Sequence, residues 1–168
     1  MNKLQYLHTF ESFNDSVYLN AQNREISFPV SDDIMNELLD TDWDRSFGTE
    51  EEAKNHINYF LEYEFPELPD NVLLYRVLKL ENVTDFDKEN IGTCFTLNKE
   101  LVYDEYFLDS IGVNEFDGDL YVLTVEVKKS DISVFFTIQQ QLLNKDEEEI
   151  SVKKSANIKI IEIEKIDS

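Results

Sequence analysis

One cysteine, two histidines, four glycines and three prolines are all that 168 residues contain of those types, and each scarcity closes off a class of protein. The lone Cys94 cannot close an internal disulfide, and with two well-separated histidines it makes no zinc constellation, so neither a disulfide scaffold nor a structural metal is expected. Glycine and proline are thinly spread, and there is neither a repeat at solenoid spacing nor a low-complexity tract beyond short acidic runs. No apolar stretch approaches the roughly 20 residues of a membrane-spanning helix. The opening "MNKLQYLHTF" lacks the continuous apolar stretch of a signal peptide, which gives the expectation of a soluble chain not secreted by that route. Positive charge is the other shortage. With 15 Lys+Arg against 36 Asp+Glu, the formal charge of -21 argues against direct nucleic-acid binding by phosphate neutralisation and against docking on an anionic membrane.

The residues that are present are enough for a core. At 42% hydrophobic the chain can fold as one compact unit, with a leading peptide and helical subdomain over 1–70 and a strand-rich part over 71–168. In the first segment Leu4, Leu7, Phe10 and Phe13 recur at three-residue steps, the spacing of a short helix or helical turn. "DDIMNELLDTDWDRSF" carries Ile34, Met35, Leu38 and Leu39 in helical register behind Ser31, a plausible N-cap. "GTEEEAKNHINYFLEYEF" opens with Thr49 and, three residues on, Glu52, the form of a capping box, followed by the apolar stripe Ala53, Ile57, Phe60 and Leu61. Pro66 and Pro69 are expected to end that helix.

Strand-like segments then dominate: "VLLYRVLKL", "CFTL", "DLYVLTVEV" at 119–127, "ISVFFTI" at 132–138, "EISV" at 149–152 and "NIKIIEIEKI" at 157–166. Between them "NKELVYDEYFLDSIG" reads as a helix closed by Gly112. Helices first and then mostly strands favour an α+β fold with antiparallel sheets over the strict alternation of a doubly wound one.

Two features ask for a chemical explanation. Arg76 sits inside the apolar strand "LLYRVL", and a guanidinium there needs a carboxylate partner or a cleft that admits an anion. In a chain this acidic a structural ion pair explains it as well as a functional role does. The run Glu147, Glu148, Glu149 leads directly into the alternating Ile150, Ser151, Val152, so a carboxylate at this strand entrance has a fixed direction even though most of the run is solvated charge.

In order and spacing these residues resemble the ADP-ribosyltransferases of the arginine, serine, glutamate class, from near Asn71 onward. Arg76 in "LLYRVL" follows a "P-x-L-P" turn; "IGTCFTLNKELV" sets Cys94, Phe95 and Thr96 against that family's Ser-Thr-Ser strand; and "EEEI" supplies the Glu-x-Glu pair Glu147 and Glu149 before a strand. The resemblance implies a mainly antiparallel two-sheet core that binds NAD as ADP-ribose donor, without a metal, with Arg76, Cys94 and Thr96 toward NAD and Glu149 and Glu147 catalytic. It further implies mono-ADP-ribosylation of a protein side chain, with arginine as first choice because the earlier position of the pair is Glu. Cys94 departs from the family's serine, and a thiol makes weaker hydrogen bonds to ribose or to the catalytic carboxylate. Tyr103, Tyr106 and Phe107 stay outside the expected site, since aromatic residues on a helix more often pack than bind.

The N-terminal "LQYLHTFESFN" is also similar to short leading peptides of tailed-phage proteins. That implies action on a basic host protein in the cytoplasm of an infected bacterium, or packaging in the virion. Two other classes stay open: an inactive relative acting as an acidic binding or inhibitor protein, and a structural, head-associated phage protein.

Overall fold

The computed structural model describes residues 20–110 and 117–166. The stripe Leu4 to Phe13, the leading peptide and the Gly112 cap lie outside them. Helical segments precede the sheet, the two longest among the described residues being α1 (Asp32–Leu39) and α2 (Glu50–Tyr59). α1 starts where the Ser31 hydroxyl accepts the Ile34 N–H, and Asp32 and Asp33 occupy its positive first turn. α2 starts at Thr49, whose hydroxyl accepts the Glu52 N–H at 3.2 Å. The Glu52 carboxylate completes the box one residue further out than usual, accepting the Gly48 N–H at 2.8 Å.

Pro66 does not stop this helix. A π-helical turn (Phe60–Glu64) widens the backbone ahead of it, the missing N–H of Pro66 falls where a new helical turn, α3 (Phe65–Glu67), begins, and the chain becomes extended at Leu68, before Pro69.

Five strands follow among the described residues: β1 (Asn71–Leu80), β2 (Cys94–Thr96), β3 (Asp119–Lys128), β4 (Glu149–Ser151) and β5 (Lys159–Lys165). They form one sheet in the order β4-β2-β1-β3-β5, with every neighbouring pair antiparallel. The fold is therefore α+β, and the described strands join in a single sheet rather than two. The helix α4 (Glu105–Ser110) lies between β2 and β3 in the chain.

One expected strand is a helix. Residues 132–138 enter α5 (Val134–Leu143), in which Phe135, Ile138 and Leu142 form one buried stripe. Their spacing of three and four is helical, and three successive glutamines, good helix formers, extend it to ten residues. The short β-branched and aromatic run "ISVFF" conceals that period.

Alternation along β1 decides which face is core. Val72, Leu74, Arg76, Leu78 and Leu80 are all buried on one side, packed with Leu123, Val125, Phe95 and Ile150 and covered by Leu38, Ala53, Ile57, Phe60, Phe135 and Ile138 from the helices. On the other side Val77 and Val122 make a smaller cluster with Val102, Phe107 and Leu108. The helices of the first half thus pack into the same core as the strands of the second.

At the sheet edge, β4 is closed by a short backbone contact, the Ser133 N–H donating to the Ser151 carbonyl at 2.8 Å, and by side chains. Thr137 Oγ1 accepts the Ser151 N–H at 2.9 Å, Gln141 Nε2 donates to the Glu149 carbonyl at 3.0 Å, and the buried Gln22 donates to the Val152 carbonyl at 2.9 Å and accepts the Lys154 N–H at 2.6 Å. An edge that could otherwise pair with another chain is occupied.

Candidate active site

The site is built where β1, β2 and β4 lie side by side. Register puts Thr96 opposite both Tyr75 on β1 and Glu149 on β4, and Cys94 opposite Ser151. Pleating sends Cys94, Thr96, Glu149 and Ser151 to one face of these short strands, while Phe95 and Ile150 enter the core. Four of the five residues singled out in the sequence converge here: Arg76, Cys94, Glu149 and, beside Glu149, Glu147.

Glu149 is the centre of the group. Its carboxylate accepts the Ser151 hydroxyl at 3.2 Å and a bond from the Cys94 thiol, and Arg76 adds a favourable charge. Burial outweighs all three and lifts the carboxyl above its ordinary range. The Cys94 thiol is held neutral for the matching reason: burial raises its pKa well above the usual thiol value, and the Glu149 charge pushes the same way. A neutral S–H donating to a carboxylate makes Cys94 a poor nucleophile and a hydrogen-bond donor, the role a serine would have in its place.

Glu147 is tuned by burial and by its neighbour. Burial, reinforced by the Glu149 charge, raises its pKa to about 7, although Asn144 donates to its Oε1 at 2.6 Å and pulls the other way. Between the two, Glu148 takes a left-handed conformation, φ 45°, uncommon for a residue with a Cβ. That reversal is what lets Glu147 and Glu149 act on each other while Glu148 is exposed and meets Asn98 Nδ2 at 3.4 Å.

Arg76 occupies a core-facing position of β1 and is only 7% exposed. Its Nη1 donates to the Cys94 carbonyl at 3.2 Å, and its guanidinium carbon lies 5.9 Å from the Phe95 ring centre. Gly92, with φ 81°, closes over it: a Cβ there would collide with the guanidinium, coming within 3.0 Å of its central carbon. The guanidinium thus braces the start of β2 and lends its charge to Glu149 and Cys94 from beneath. Thr96 is brought alongside by the sheet, yet its hydroxyl is used locally, accepting the Asn98 N–H at 3.2 Å where the chain leaves β2.

Ser151, Gln141, Asn144 and Gly92 are contributors that sequence reasoning does not single out. Ser151 could be found by stepping two residues along β4 from Glu149. Asn144 lies only three residues before Glu147, whereas Gly92 meets Arg76 through the fold. A separate cavity of about 920 Å³ lies beside α5, lined by Arg24, Glu37, Asp40, Arg45, Phe136 and Gln139 among others, and none of the five predicted residues borders it. Among the described residues no group of His, Cys, Asp and Glu could hold a metal ion, and no helix is long and apolar enough to cross a membrane. Compared with protein-family profiles, with curated proteins and with solved structures, the chain returns no match.

Proposed function

We propose that the protein is a mono-ADP-ribosyltransferase that uses NAD as donor and a protein side chain, arginine first, as acceptor. One observation carries the reading: Arg76, Cys94 and Glu149, separated by long stretches of sequence, act on one another at adjacent strands, with a second tuned carboxylate at Glu147. A half-buried carboxylate is chemically suited to a reaction whose transition state spreads positive charge over a ribose ring.

In the proposed step the bond between ribose C1′ and the nicotinamide nitrogen breaks, and its electron pair neutralises the nicotinamide. Glu149 stabilises the developing cation and holds the ribose hydroxyls. The acceptor nitrogen then bonds to C1′ and gives up its proton to Glu147, whose pKa of about 7 suits a base working near neutrality. The Cys94 thiol orients Glu149. Arg76 supports this pair through charge and through the Cys94 carbonyl; direct contact with a diphosphate requires the segment around Gly92 to move off its guanidinium. The charge of -21 favours encounter with a basic acceptor. The finer fold expectation, a two-sheet NAD-binding core, belongs to this proposal, as do an infected bacterial cytoplasm or a virion as the place of action.

A second reading is an inactive relative that serves as an acidic binding protein. The enclosure of Arg76 and the thiol at Cys94 favour it. Incubation of the protein with adenylate-labelled NAD and a bacterial lysate separates the two. The transferase transfers label to protein, Glu149→Gln does not, and Arg76→Ala loses both transfer and stability. No label from folded wild type supports the binding protein.

A further inference from the structure

A continuous hydrogen-bonded path through α5 joins His56 on α2 to β4. Gln141 Nε2 donates to the Glu149 main-chain carbonyl at 3.0 Å, and Gln141 Oε1 lies 2.9 Å from His56 Nε2. An amide has its donors on one atom and its acceptor on the other. With the Gln141 nitrogen committed to a carbonyl, its oxygen can only accept, so His56 must carry its proton on Nε2. Both the neutral Nε2–H tautomer and the imidazolium satisfy this, and the link survives protonation of the ring. Phe47 fixes the ring from the side, centroids 5.2 Å apart, and Gln141 is buried, 6% exposed.

We infer that His56 and Gln141 are positioning residues for Glu149: the relay fixes the amide of Gln141, and through it the peptide unit from which the Glu149 side chain departs. The carbonyl of an edge residue would otherwise have water as its partner, and β4 would be free to shift at the position where the left-handed Glu148 delivers the chain. At the other end of the same loop Ser46 is the anchor, its hydroxyl donating to the Leu143 carbonyl at 2.9 Å and accepting the Lys145 N–H at 3.3 Å. Ser46, between α1 and α2, and His56 of α2, acting through Gln141 of α5, therefore reach the two ends of the carboxylate loop. The catalytic consequence rests on the transferase reading; the positional one does not.

The test uses His56→Phe, which keeps the ring beside Phe47 without the donor, His56→Gln, which restores an N–H donor, and Gln141→Met, which keeps volume without either bond. With labelled NAD, the first and third are expected to lower kcat about tenfold with KM for NAD unchanged within about twofold, and His56→Gln to recover to within about threefold of wild type. In parallel, the side-chain carboxyl carbons of Glu147 and Glu149 are titrated by ¹³C NMR, folding being checked on the same samples. Looser packing admits water, so the Glu149 midpoint moves down toward the ordinary carboxylate range in His56→Phe and Gln141→Met, and returns in His56→Gln. Midpoints that stay within about 0.2 pH unit of wild type in both variants overturn the relay. If wild type transfers nothing while the midpoints move, the relay stands and the transferase reading falls.

Discussion

At Glu149 a carboxylate is kept where burial opposes its charge, and that conflict is a measurable property. Replacing it by glutamine removes the charge but keeps the acceptor for Ser151. Glu149→Gln should abolish transfer while the melting temperature at pH 8 stays level or rises; a large drop in melting temperature would mark the residue as structural. Glu147 gives a prediction with a sign. As the proposed base it works when deprotonated, so kcat should rise as pH increases through about 7, and Glu147→Gln should flatten that limb of the profile. Cys94→Ser tests the thiol as donor: a hydroxyl bonds a carboxylate more strongly, so activity should be kept or raised, whereas a nucleophilic thiol would make the variant inactive.

At the scale of elements, what was legible in the sequence depended on how far each period ran. The long apolar and aromatic runs of β1 and β3 and the caps at Ser31 and Thr49 carry their signals within a few residues. The helix α5 does not, because Val134, Phe135, Phe136, Thr137 and Ile138 have strand preferences and only packing on the sheet selects the helical stripe. That helix supplies the edge cover of β4, so misreading it hides Thr137 and Gln141 as partners of the site. The candidate residues themselves were legible as types, an arginine in an apolar strand and acids at a strand entrance. Their support was not, since Gln141 faces Glu149 only once α5 is a helix, and Gly92 and Ser46 meet their partners through the fold. Thr137→Val keeps shape and leaves the buried Ser151 N–H without its acceptor. It should cost about 1–3 kcal/mol in denaturant unfolding. A loss near zero would mean that the edge is held by packing alone.

For the whole molecule, charge and burial act in the same direction. Glu147, raised to about 7, binds its proton more tightly in the folded state than in the unfolded chain. Between the ordinary glutamate range and pH 7 the folded state holds more protons, so stability must fall as pH rises through that window; the contribution, discounted for partial solvent contact, is about 1–2 kcal/mol. Repulsion within a chain of net charge -21 adds to it. The melting temperature should therefore be higher at pH 6 than at pH 8, the difference should shrink in Glu147→Gln, and added salt should raise it by screening. A flat profile from pH 6 to 8 would mean that Glu147 and Glu149 hold no shifted proton. An arrangement that sacrifices stability at neutral pH to keep two carboxylates close together is expected of a site that uses them.

The most direct measurement is the release of nicotinamide from NAD by wild type and by Glu149→Gln, compared at pH 8 on samples whose folding has been verified. Release by wild type and its loss by at least about a hundredfold in the variant is the predicted result. Equal release by both, or none by folded wild type in the presence of acceptor proteins, would contradict a catalytic Glu149.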